Sequence, residues 1–168
     1  MTDMFDLKPL SIGAIPKALD RADRYRLLNE SAEAESICLD ILAADPDNQR
    51  ALVTLILALS DQFGQERFSV GHNRCEEFVA RLTDDYERTY YAGVVCERRA
   101  KAAFSRHRGG AMAYEWFREA MEWYAKAEKI RPPGNDDAVL RWNTCARIFQ
   151  NNRDLQPSEE ERIEPYLE

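Results

Sequence analysis

Glycine and proline are scarce in this sequence, with seven of each among 168 residues. They gather at a few points, chiefly Pro46, Gly64, Gly109-Gly110 and Pro132-Pro133-Gly134, and leave long stretches unbroken. A many-turned sheet protein needs more frequent punctuation, so the scarcity favours helices. A surplus of positive charge is also missing. The net charge is −7, which excludes the uniform basic field of a nucleic-acid binder and at most favours basic partners. No apolar run approaches the roughly 18 residues that a membrane span needs. The longest, Ala51–Leu59, is short and contains Thr54. Met1–Ile15 lacks the basic start and long apolar middle of a secretory signal. The expectation is a cytoplasmic protein with neither nucleic acid nor membrane as partner.

Histidine is nearly absent. His72 and His107 are far apart and make no HExxH or other ligand spacing. No GxGxxG, GxxxxGK[ST] or GxSxG occurs, and Gly109-Gly110 reads as a turn. The four cysteines, Cys38, Cys75, Cys96 and Cys145, form no CxxC pair. Each falls on the apolar side of a helical pattern, so each reads as a small buried hydrophobe. No metal, cofactor or catalytic residue is expected, and the chain is not expected to be an enzyme.

What remains is ample for a core. Hydrophobic residues make up 45% and aromatics 10%, which is globular composition. Met1–Ala14 has no clear period and reads as a lead-in whose Met4, Phe5, Leu7 and Leu10 can cover one end of the core. Pro16 suits a first helical turn. Helical spacing then runs through Ala18, Leu19, Ala22 and Tyr25. Asn29-Glu30 breaks it, and Ser31 is suited to cap the next helix. That helix carries Ala34, Ile37, Cys38, Ile41 and Leu42 on one stripe, and Asp45-Pro46-Asp47-Asn48 stops it. Further helices are expected over Gln49–Phe63, Arg67–Thr83, Asp84–Ser105, Ala111–Ile130 and Asp136–Asn152. Domain bounds follow: a lead-in at 1–14, a helical domain at 15–152, and an acidic, solvated, flexible tail at 153–168. No strand is expected.

Helix pairs that recur at about 34 residues are the sequence mark of a stacked helical repeat. The first pair resembles a tetratricopeptide repeat (TPR). Ala22 takes the small position at the helix crossing, Tyr25 the late aromatic, Ala34 the small position of the second helix and Pro46 the terminal proline. The phrase Ala44-Asp45-Pro46-Asp47-Asn48 is the most specific part. Ala120, Tyr124, Ala127 and Pro132 repeat the second half of that pattern, with Ala92-Gly93 at the matching crossing. The last helix resembles a first half, through Trp142, Cys145, Ala146 and Phe149. The middle pair departs from the pattern: Ile56, Leu59 and Cys75 replace its small and aromatic residues, and no proline ends it.

The resemblance implies an all-α, right-handed superhelical stack of about three irregular pairs plus a capping helix. It also implies an adaptor that holds a partner peptide or helix in a concave groove. The groove positions it implies are Leu19, Asp23 and Arg26 on the first helix, and Val53 and Leu57 on the third. Tyr90, Val94 and Glu97 follow on the fifth, and Asn143 and Arg147 on the last. Heat-shock tail binding is not expected, because the family's clamp positions hold Leu19, Asp23, Thr54, Glu87 and Tyr91. A second surface is suggested by the aromatic run Tyr114, Trp116, Phe117 and Trp123, which marks a partner or self-association face. Arg98-Arg99-Lys101 with Arg106-His107-Arg108 is the one basic concentration and reads as a solvated face. Two other readings are a TPR-type chaperone for a secreted substrate and an all-helical enzyme with an unfamiliar site.

Overall fold

A computed structural model of the chain describes residues 5–65, 71–106 and 110–158, with nothing further said of the side chains of Gly71 and His72. The described residues form one turn of 3-10 helix at Ile12–Ala14 and seven α-helices, with no strand. The helices are α1 (Ile15–Leu27), α2 (Ser31–Ala44), α3 (Gln49–Asp61), α4 (Gly71–Ala80), α5 (Asp85–Arg106), α6 (Ala111–Lys129) and α7 (Asp137–Asn151). The all-α expectation and the order of elements hold.

The punctuation acts where the sequence places it. Pro16 lies in the first turn of α1, where a missing N–H costs nothing. Asn29 ends α1 in the left-handed region, at φ 65°. Its N–H bonds the Arg26 carbonyl, and the Glu30 N–H bonds the Tyr25 carbonyl at 2.8 Å. This paired closure satisfies the last free carbonyls of the helix. Asn48 caps α3, its Oδ1 accepting from the Ala51 N–H at 2.9 Å. Ser31 does not cap α2: the cap position is Glu30 and no side chain serves it. The Ser31 hydroxyl donates instead to Asp61 Oδ2 at 3.1 Å, a tertiary contact. Gly110 has φ −70°, open to any residue; its expected turn partner Gly109 lies outside the described residues.

Each helix packs on the next along the chain, and α1 also touches α3, as α3 touches α5. Ala22 and Ala34 are fully buried on the mutually packed α1 and α2. The core has two lobes. One gathers apolar residues of α1 to α4, with Val95 of α5. The other gathers α5 to α7 and Leu155. Tyr91 packs against both.

Helices α5 and α6 approach closely at Gly93. A Cβ built on Gly93 comes within 2.7 Å of Tyr124 Cε1 and 3.2 Å of Trp123 Cβ. The small residue expected at this crossing is therefore required by contact with the partner helix.

Three boundaries need correction. Phe5 and Leu7 are 82% and 90% exposed and cover no core; only Leu10 packs onto the first lobe, while Met4 lies outside the described residues. The fourth helix ends at Ala80 and not at Thr83, while its expected start at Arg67 lies outside the described residues. Leu155 is buried in the second lobe, so packed structure runs past 152 into the expected tail. Residues 159–168 of that tail lie outside the description.

Candidate functional site

Helical spacing aligns side chains into faces. On α1 one such row is Asp20, Asp23 and Arg26. On α3 it is Arg50, Thr54, Leu57 and Asp61, with Val53 beside it. On α5 it is Glu87, Tyr90 and Tyr91, Val94, Arg98 and Lys101. Ion pairs join these rows across α1, α3, α5 and α7, and together they form a wall.

At one end, Arg50 Nη2 binds both Asp20 Oδ1 at 2.9 Å and Asp23 Oδ2 at 2.6 Å. Thr54 Oγ1 donates to the other oxygen of Asp23 at 3.0 Å. At the other end, Arg26 Nε donates to Asp61 Oδ2 at 2.9 Å, and Arg98 pairs with Asp61 Oδ1. Burial lowers the pKa of Arg98 to about 10, and the nearby Arg26 and Arg141 guanidiniums add to the effect. Three guanidiniums therefore converge on this end.

Next to Arg98 lies Glu97, fully buried. Its carboxylate binds groups from three helices. Lys101 Nζ and Arg141 Nη1 donate to Oε2 at 2.9 and 3.2 Å. The Tyr124 hydroxyl donates to Oε1 at 3.1 Å, and the Cys145 thiol lies 3.6 Å from it. Burial, then the Glu97 charge, raises the pKa of Tyr124, so its proton stays available to donate. Burial lowers the pKa of Arg141, but a hydrogen bond with the Tyr90 hydroxyl and the Glu97 charge outweigh it, and the net shift is upward. Among the described residues no buried polar side-chain atom lacks a partner, as a buried charge network requires.

Tyrosines form the floor between the two ends. Tyr90 lies between Tyr86, stacked at 5.8 Å, and Tyr124 at 5.9 Å, with Tyr91 edge-on at 5.0 Å. Burial and neighbouring tyrosine and carboxylate groups push the Tyr91 hydroxyl up to about 12, so it is neutral at physiological pH.

The structure sorts the expected site residues. Asp23, Arg26, Val53, Leu57 and Tyr90 are half-buried and sit on the wall. Leu19 and Val94 are core residues with almost no surface, so they cannot meet a partner as expected. Glu97 is likewise buried; its role is to tie helices together. Asn143 and Arg147, half-buried and exposed, lie outside the ion-pair network. Arg141 is the residue of α7 that reaches α5.

In the aromatic run, Phe117 is fully buried, against the expectation of a surface. Tyr114 packs on Phe149 at 5.5 Å. Trp116 and Trp123 are half-buried, covered by Arg99 at 3.5 Å and Lys126 at 4.7 Å from their ring centroids. Each cation covers one face of its ring, and both indoles line an open cavity of about 380 Å³ with Glu119 and Glu122. The basic concentration is divided: Arg98 serves Asp61, Arg99 covers Trp116 and Lys101 serves Glu97. His107 and Arg108 lie outside the described residues.

Sequence reasoning missed Asp61, Arg98 and Arg141 as wall residues. A signal exists for two of them: Arg50 and Asp61, like Glu87 and Arg98, are eleven residues apart, three turns along one helical face. The chain was also compared with family models, curated proteins and solved structures. It matches none of them. Function must therefore be argued from the wall itself.

Other openings offer less chemistry. A cavity of about 350 Å³ between α4, α5 and α6 is lined by Val79, Ala92, Val95, Cys96 and Trp123 among others. Its thiol is pushed up to about 12 by burial, and the Glu119 charge adds to this, so Cys96 is not a reactive thiolate. No group of three or more potential ligands among the described residues could hold a metal ion. No described helix is long and apolar enough to cross a membrane.

The buried thiols give a pH signature. Burial pushes Cys38 and Cys145 up to about 12 from 9.0, reinforced by Asp23 and Glu35 at Cys38 and by Glu97 at Cys145. In the unfolded chain these thiols ionise from about pH 9. Above that pH the unfolded state holds fewer protons, so stability is complete below 9 and is lost as pH rises toward 12. The slope approaches about 1.4 kcal/mol per pH unit for each thiol. The urea midpoint should be lower at pH 10.5 than at pH 8, and replacing Cys38 and Cys145 with alanine should shrink the difference without abolishing it, because Cys96, Tyr91 and Tyr124 are shifted the same way.

Proposed function

We propose that this chain is a TPR-like helical-repeat adaptor that holds a segment of another protein against the wall of α1, α3, α5 and α7. The observation that carries the reading is the wall: four alternate helices share one polar and aromatic face, cross-linked by ion pairs. A face whose side chains already engage one another needs less ordering on binding, which suits recognition. Its charged groups are paired with one another, which fits holding better than proton transfer. The four cysteines are free and buried, which fits a reducing cytoplasm.

Site-directed photo-crosslinking in extract of the source cells tests the reading. A photoreactive phenylalanine replaces Leu57 or Tyr90 on the wall, or the exposed Ser36 on α2 as control. The expected result is one protein captured from both wall positions and not from Ser36. No wall capture, or identical capture from Ser36, sinks the adaptor reading.

A further inference from the structure

Two ends of the wall carry opposite charge, and the pairing pattern inverts between them. At the Arg50 end, two carboxylates, Asp20 and Asp23, share one guanidinium. Glu87 begins the same face on α5, eleven residues before Arg98. At the Asp61 end, two guanidiniums, Arg26 and Arg98, share one carboxylate. Beside it, Arg141 and Lys101 share Glu97. Within these pairs the first end has a carboxylate in excess and the second has cations in excess, while Glu30 and Glu33 line the opening beside Arg26 and Asp61.

The separation is large enough to matter. Arg50 to Asp61 on α3 spans eleven residues, or ~16 Å of helix. Along α3 and α5 that exceeds the Debye length of about 8 Å at physiological ionic strength; on α1 the two ends approach, with Asp23 one turn from Arg26 and its charge acting on that guanidinium. Between them lie the half-buried Val53, Leu57, Tyr90 and Tyr91, an apolar and aromatic interval. The positive end stands out in a chain of net charge −7.

We propose that the wall takes a partner segment that is itself bipolar: cationic residues at the Asp20–Asp23 end, apolar residues between, and carboxylates at the Arg26–Arg98–Arg141 end. The inference rests on the adaptor reading and adds the partner's charge order. An extended segment crosses ~16 Å in about five residues. A carboxylate fits the positive end better than a phosphate dianion, because Asp61 and Glu97 are already there and repel a second full charge more strongly. Two opposite contacts a fixed distance apart also set the direction in which the segment lies.

The test uses a capped heptapeptide of two lysines, alanine-leucine-alanine and two glutamates. Companion peptides carry four lysines or four glutamates around the same centre, and inorganic phosphate is a further probe. Binding to the full chain is followed by NMR, with a nitroxide on the glutamate end. The mixed peptide is expected to bind at least about tenfold more tightly than either companion at low salt. Its nitroxide should broaden the amides of Arg26 and Arg98 more strongly than those of Asp20 and Arg50. Asp20→Lys, at a side chain 74% exposed, should abolish the preference without disturbing the fold. Equal binding of all three peptides, tighter binding of a uniformly charged one, phosphate competing for Arg98 as well as the peptide does, or broadening at Asp20 as strong as at Arg98 overturns the charge order. Wall crosslinks that persist beside such a result leave the adaptor reading standing. A bound, oriented peptide with no wall crosslinks supports the charge order and removes the adaptor reading.

Discussion

Glu97→Ala is expected to cost about 3 kcal/mol, a large fraction of the stability of a domain this size. The loss has two parts. The Tyr124 hydroxyl and the Cys145 thiol, both fully buried, lose their acceptor and have no water to replace it. Arg141 and Lys101 lose their counter-charge too, but they are 34% and 45% exposed, so solvent screens part of that loss. Glu97→Gln keeps the shape and an oxygen for Tyr124 but turns an amide toward two cations, and should fall between wild type and alanine. Urea denaturation measures all three. An alanine variant within 1 kcal/mol of wild type would mean that the network is not closed around Glu97 as described.

Gly93→Leu should be as damaging, for a steric reason. Any Cβ there meets the Tyr124 ring within 2.8 Å, and that ring cannot swing aside because its hydroxyl is bound to Glu97. Helix α5 must then move off α6. Gly93→Ala gains about 1 kcal/mol of helix propensity against about 1–3 kcal/mol of overpacking, so its net cost is small to moderate. Leucine adds three more carbons to the same gap and should cost well over 3 kcal/mol, read as a fall in thermal midpoint. A leucine variant as stable as alanine would refute the close approach. The two sites share Tyr124, so Gly93→Ala and Glu97→Ala should not add when combined.

Both residues also show what a sequence can disclose. Gly93 was readable as a small residue at a helix crossing through the repeat resemblance, which puts Ala92-Gly93 at that position. Helix order was readable for the same kind of reason: Pro16, Asn29, Pro46 and Asn48 act through their own backbone or the nearest turn. Glu97 was misread as a groove residue. A glutamate at helical spacing carries no local mark of burial; its partners Tyr124 and Arg141 are 27 and 44 residues away. The ion pairs between helices were illegible for that reason: Arg26–Asp61, Arg50–Asp20 and Arg50–Asp23 join residues 35, 30 and 27 positions apart, whereas Lys101–Glu97 is a local i,i+4 pair. Phe5 and Leu7 show the converse error. Apolar character suggested cover for the core, yet nothing local decides whether a lead-in folds back, and both face solvent.

The charged wall also bears on how the chain comes apart. Stacked helices that touch only their neighbours tend to fray from the ends inward, one unit at a time. Here Arg26 of α1 meets Asp61 of α3, Asp61 meets Arg98 of α5, and the adjoining Glu97 meets Arg141 of α7. Such a relay passes through all four alternate helices. Peeling α7 takes Arg141 and Cys145 from Glu97 and leaves it Lys101 and Tyr124, and peeling α1 leaves Asp61 to a single cation, so the terminal helices share the fate of the middle. Native-state hydrogen exchange should accordingly find α1 and α7 opening with free energies close to that of α5, as one cooperative block rather than a graded series.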